Sequence, residues 1–116
     1  MSDTAITALL EELREVDFDA WKDIRFLLGN VGMDNGPREI PLEQHIYQDL
    51  IQGCIQRAII KKGWKYVVSN DRARQPYGQI GIPISNVRIE YQHRNYADTP
   101  AAAILAAYIE TKRAMR

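Results

Sequence analysis

Between residues 64 and 92 the chain alternates apolar and polar side chains three times, and this stretch constrains the fold more than any other. In WKYVVS, Trp64, Tyr66 and Val68 alternate with Lys65, Val67 and Ser69. In IGIPIS, Ile80, Ile82 and Ile84 fall at every second position. In NVRIEYQ, Val87, Ile89 and Tyr91 point one way and Arg88, Glu90 and Gln92 the other. A period of two is the mark of half-buried strands, because successive side chains leave a strand on opposite faces. Ser85 and Asn86 offer a tight turn between the last two runs, so those runs read as an antiparallel hairpin. Pro83 has no N–H to give a ladder, which predicts an edge strand or an outward-turned position. NDRARQPYG, between the first two runs, carries strong turn chemistry.

Helices flank this unit. Ser2 or Asp3 can cap a first one, with Ile6, Leu9, Leu10 and Leu13 as its apolar stripe. Asp17 or Asp19 can cap further helix, in which Phe18, Trp21, Ile24, Leu27 and Leu28 repeat at helical spacing. Whether residues 3–28 make one bent helix or two stays open at this level. Gly29 and Asn30 predict a stop, and residues 29–41 a loop. Pro41 then opens a long helix that ends at Gly63. Its two apolar stripes are wider than one core face needs. Gly53 lies inside it, a cost of about 1 kcal/mol relative to Ala that a close helix crossing would offset. After the strands, Asp98 or Thr99 caps a last helix that Pro100 begins, with Ile104, Leu105, Tyr108, Ile109 and Met115 on its apolar face. The reading is a single α+β domain over residues 1–116. Three to four helices pack on a three-stranded antiparallel meander, in the order α-α-α-β-β-β-α.

A chain of 116 residues with 46% hydrophobic and 26% charged residues is long enough for one core of its own. The single cysteine, Cys54, excludes an internal disulfide and fits a reducing, cytoplasmic setting. No apolar run is long enough to span a membrane, and no secretory leader is read at the start. The net charge of zero hides an uneven spread. Residues 1–20 hold six acids and one base; residues 54–96 hold eight bases and two acids. The basic middle can meet an anionic partner, or the acidic first segment can neutralise it within the chain.

Within the closing part, ADTPAAAILAAYIETKRAM at residues 97–115 follows a hairpin, and Trp64 opens the first strand. This ending resembles small phage and prophage domains of unknown function, including the phage alpha-beta-alpha sandwich domains. The resemblance covers about the last half of the chain. It implies a phage accessory role, such as countering a host defence, and it transfers no catalytic residue.

Reactive constellations are sparse. No phosphate-binding loop or dinucleotide fingerprint occurs, and GNVGMDNG lacks the Lys-Ser/Thr that would complete one. His45 and Asp49 stand at i, i+4, but read as an ordinary helix pair, so no metal site is assigned. Cys54 falls on an apolar helix stripe, where a thiol is inert. No cofactor and no enzymatic activity are expected.

The constellation that stands out is basic and aromatic: Arg72, Arg74, Tyr77, Arg88, His93, Arg94 and Tyr96, with Lys65 nearby. Arginine offers paired donors to a phosphate, and an aromatic face can stack on a base. The expectation is that these residues share one exposed patch beside the amino end of the last helix. That patch would bind and sequester an anionic, nucleotide-like small molecule without turnover. An alternative is a protein-interaction module that inhibits a host defence factor, working through the acidic first helix or the 29–41 loop. Nucleic-acid binding ranks third, given the neutral total. The wide helix faces predict a homo-oligomer, most simply a dimer.

Overall fold

The computed structural model describes residues 2–32 and 45–115. Four helices and four strands follow in the order α1 (Ser2–Val16), α2 (Phe18–Gly32), α3 (His45–Lys61), β1 (Lys65–Asn70), β2 (Pro76–Ser85), β3 (Arg88–Tyr91), β4 (Asn95–Tyr96) and α4 (Pro100–Ala114). The α+β class and the element order match the sequence reading. Residues 3–28, open in the sequence as one bent helix or two, form the two helices α1 and α2, broken at Asp17. The Asp17 carboxylate accepts from Ala20 N at 3.1 Å and so caps the second. That helix runs past the expected stop at Gly29 to Gly32. The rest of the anticipated loop and the Pro41 helix start lie outside the described residues.

The sheet is an antiparallel meander, β1-β2-β3, with β4 added against β2. The two-residue β4 falls in HRNYA, which reads in the sequence as a plain connector. β2 is longer than expected, because PYGQ belongs to the strand: Tyr77 faces Ser69 and Gly78 faces Val68 across the ladder. Gly78 is where α4 crosses. A Cβ there would lie 2.6 Å from Ile104 Cα and 2.7 Å from Ala103 O, both backbone atoms. The glycine marks a close approach and not a turn.

α4 is the central element. It packs on β2, β1 and β4 on one side and on α1 and α3 on the other, while α2 rests on α1 and α3. Its alanines keep it slim enough for that position, and Ala101 through Leu105 are all buried. The core joins Ile6, Leu10 and Leu13 of α1, Ile24 and Leu28 of α2, Ile51, Ile55 and Ile59 of α3, Ile80 of β2, and Ile104, Leu105 and Tyr108 of α4. Thr99 caps α4 by accepting from Ala102 N at 3.2 Å, and its hydroxyl donates to Gln48 Oε1 of α3 at 2.9 Å. α3 ends as expected at Gly63, whose φ of 78° is the left-handed conformation glycine supplies.

Candidate functional site

The structure divides the anticipated arginine patch. β2 runs from the turn that carries Arg72 and Arg74 to the turn that precedes Arg88. Tyr77, near its first end, pairs with Tyr96, and Ser85, at the other, pairs with Arg88. Eight residues of strand separate the two positions, roughly 27 Å at a strand's rise per residue. Arg88 therefore stands apart from the rest. His93 is not in the patch either: its imidazole lies against the Glu110 carboxylate of α4.

What stays together is Arg72, Arg74, Tyr77, Arg94 and Tyr96. The Arg94 guanidinium lies 4.1 Å from the centre of the Tyr77 ring, and its Nη1 donates to the Tyr96 hydroxyl at 3.4 Å. That bond raises the already high pKa of Arg94. Tyr77 is buried, and Arg94 and Tyr96 cover its ring, so it has no free face for a base. Asp71 pins the turn by accepting from Ala73 N and Gln75 N, each at 2.9 Å. Arg72 and Arg74 are exposed on that turn. The amino end of α4, expected to favour an anion, is already engaged by Thr99 and tied to Gln48.

A second feature lies between α2 and α3. These helices run antiparallel, since Asp17 at the start of α2 is within electrostatic reach of Lys62 just after α3. They flank a groove of about 750 Å³. Asp19, Asp23 and Phe26 line it from α2, at i, i+4 and i+7 of one helix face. Arg57, Ile60 and Lys61 line it from α3, and Ala20, Leu27, Cys54 and Ala58 form the deeper lining. Acids stand on one wall and bases on the other. Among the described residues Asp19, Asp23, Arg57 and Lys61 are in no ion pair. Phe26 is 68% exposed and Ile60 61%. Further along the same α3 face, Ile46 is exposed and Gly53 stands open: a Cβ at Gly53 would meet only Arg57 Nη1, at 3.6 Å. The close helix crossing expected at Gly53 is thus not made among the described residues.

The groove ends at a polar knot. The Tyr108 hydroxyl donates to the Asp17 carboxylate, and Lys112 Nζ lies 4.0 Å from it. Burial pushes the Asp17 pKa up, but Tyr108, the Ala20 amide and the lysines outweigh it and hold the carboxyl below its ordinary range. Burial, with Asp17 adding to it, pushes Tyr108 well above the usual phenol range. Burial and the nearby Lys112 lower Lys62. Cys54 is pushed up by burial, more than Arg57 can offset, even though Arg57 Nη2 lies 3.5 Å from its sulfur. A thiol held protonated is a poor nucleophile. The His45 side chain lies outside those described. Among the described residues no three His, Cys, Asp or Glu side chains gather as a metal ion requires.

The third feature is the hairpin of β2 and β3. β1 accompanies β2 only as far as Gly81, so the hairpin extends beyond it, and every residue from 83 to 91 is exposed. Ile84, Val87, Ile89 and Tyr91 are its apolar members, Val87 being 95% exposed. Ile89 and Tyr91 lie across Gly81, where a Cβ would meet the Tyr91 ring at 2.7 Å and Ile89 Cγ2 at 2.8 Å. That face is opposite the one α4 covers, so the apolar side of β3 is not in the core.

Sequence reasoning weighed neither the groove nor the hairpin edge. The spacing of Asp19 with Asp23 and of Arg57 with Lys61 was visible, but not that the two pairs face each other. No helix among the described residues is long and apolar enough to cross a membrane. Comparison with protein-family models, with curated proteins and with solved structures finds no match.

Proposed function

We propose that the chain is a non-enzymatic protein-interaction module that docks a partner helix in the groove between α2 and α3. The observation that carries this reading is the opposition of Asp19 and Asp23 to Arg57 and Lys61 across an apolar floor, with Phe26 and Ile60 exposed at the rim. An amphipathic helix seats its apolar stripe in such a groove. The wall charges define the complementary partner: basic residues along the flank facing α2 and acidic residues along the flank facing α3. The cavity falls in the volume range of small-molecule sites. However, its three carboxylates, counting Asp17, balance Arg57, Lys61 and Lys62, so it offers an anion no net attraction. The resemblance to phage accessory domains suggests a host defence factor as the partner and the host cytoplasm as the place. Cys54, single and held as a thiol, is compatible with a reducing compartment.

The test is capture of a partner from host extract by the wild-type chain and by two charge reversals, Asp19→Lys with Asp23→Lys and Arg57→Glu with Lys61→Glu. Both reversals abolish capture on this reading, while Arg88→Ala and Arg94→Ala leave it unchanged. Capture that survives both reversals contradicts it.

A second reading keeps the sequestration of an anionic nucleotide-like molecule and confines its site to Arg72, Arg74, Arg94 and Tyr96. It is favoured by one observation: these three arginines sit at one end of the sheet, and none is in an ion pair among the described residues. Its test is thermal stabilisation by a nucleoside diphosphate. A shift that Arg94→Ala leaves intact rejects it.

A further inference from the structure

The free edge of β3 has a pattern that matches itself. In an antiparallel ladder successive residues turn their N–H and C=O groups alternately toward one neighbouring strand and the other. Gln92 N donates to Ile80 O at 2.8 Å, so Gln92, and Glu90 opposite Ile82, direct their backbone groups to β2. Ile89 and Tyr91 then direct theirs outward. Among the described residues no strand takes them, since there β3 pairs with β2 alone. The same alternation turns the missing N–H of Pro83 to the side of β2 that β1 has already left. An open edge carrying exposed apolar side chains is a pairing template that soluble proteins normally protect.

We infer that the occupant of this edge is a second copy of the chain, paired antiparallel about a two-fold axis through Ile89. A two-fold axis normal to a sheet keeps each side chain on its own face, so it must pass through a residue position and place i opposite j with an even sum. Centred on Ile89, it puts Arg88 of one protomer opposite Glu90 of its partner, and Glu90 opposite the partner's Arg88. Ile89 meets its own copy, and the two exchange their outward N–H and C=O groups. The Arg–Glu pairs fall at the non-hydrogen-bonded positions, where side chains of antiparallel strands are closest. Within one chain neither Arg88 nor Glu90 has an ion pair among the described residues. Both lie on the face that α4 covers further along, and the dimer is one continuous sheet with all helices on the same side. This inference is independent of the groove, which the pairing leaves open.

The experiment is sedimentation equilibrium of the wild type, Arg88→Glu, Glu90→Arg and the double exchange Arg88→Glu/Glu90→Arg. The wild type is expected as a dimer at micromolar concentration. Either single change sets two like-charged pairs face to face and weakens association roughly tenfold or more. The double exchange restores it. Ile89→Pro deletes an N–H that β2 does not use and also gives a monomer, with an unchanged far-ultraviolet spectrum. A wild-type monomer at about 100 µM overturns the inference, since pairing that weak, with Kd in the millimolar range, has no place here. A dimer indifferent to all four variants overturns it as well, by placing the interface elsewhere.

Discussion

Replacing Tyr108 by Phe removes one oxygen from the groove's inner end and leaves the ring in place. The hydroxyl donates to Asp17, whose side chain is 15% exposed and whose other partners are the Ala20 amide and Lys112. A hydrogen bond to a charged group contributes about 1.5–3 kcal/mol. Asp17 keeps two partners and some access to water, so the lower figure applies, about 1.5 kcal/mol at pH 7. For a domain of this size that is a fall in Tm of roughly 6 °C. The pH dependence has a definite sign. The Asp17 carboxyl is lowered on folding, so its contribution is present above the unfolded value near pH 3.9 and is lost as pH falls through the folded value. Tyr108 is raised, so its contribution is full below an unfolded value of about 10 and is lost as pH rises above that. Tyr108→Phe therefore flattens the alkaline side of the stability profile and makes the acid side shallower. Thermal unfolding by circular dichroism at about pH 3, 7 and 11 samples both arms of the profile. A Tm within roughly 1 °C of wild type at pH 7, or an unchanged alkaline slope, refutes the argument.

Gly78→Ala drives a methyl group into the backbone of α4, where Ile104 Cα would stand 2.6 Å away, and destabilises by about 2–3 kcal/mol in urea unfolding. Arg74 holds a φ of 64° without being glycine, so Arg74→Gly relieves the left-handed strain and raises stability by about 0.5–1 kcal/mol in the same assay. Cys54, buried and with its pKa raised, alkylates more slowly than a free thiol at pH 8 by mass spectrometry, and equal rates would place it at the surface.

Periodicity made the helices and strands legible, because burial on one side writes itself into residue spacing. It could not say which side of β3 met the helix. Ile89 and Tyr91 share a face, and the natural inference that an apolar face is an inner one fails here, since α4 lies across the other. PYG looked like part of a turn because proline and glycine usually break structure. Gly78 is there instead to let Ile104 come close, a reason that exists only once α4 is in place. The scattering of the arginines was within reach: in a meander, the turn holding Arg72 and Arg74 and the turn before Arg88 must lie at opposite ends of β2. The groove was not within reach, because Asp19 and Asp23 meet Arg57 and Lys61 only through the antiparallel docking of α2 on α3.

Hydrogen-exchange mass spectrometry of the chain, free and with the partner it captures from host extract, tests most directly where binding occurs. Docking in the groove slows exchange in residues 17–27 and 54–62. Slowed exchange confined to residues 71–77 and 93–96, with both groove helices unchanged, would put the contact on the arginine end of the sheet and contradict the account.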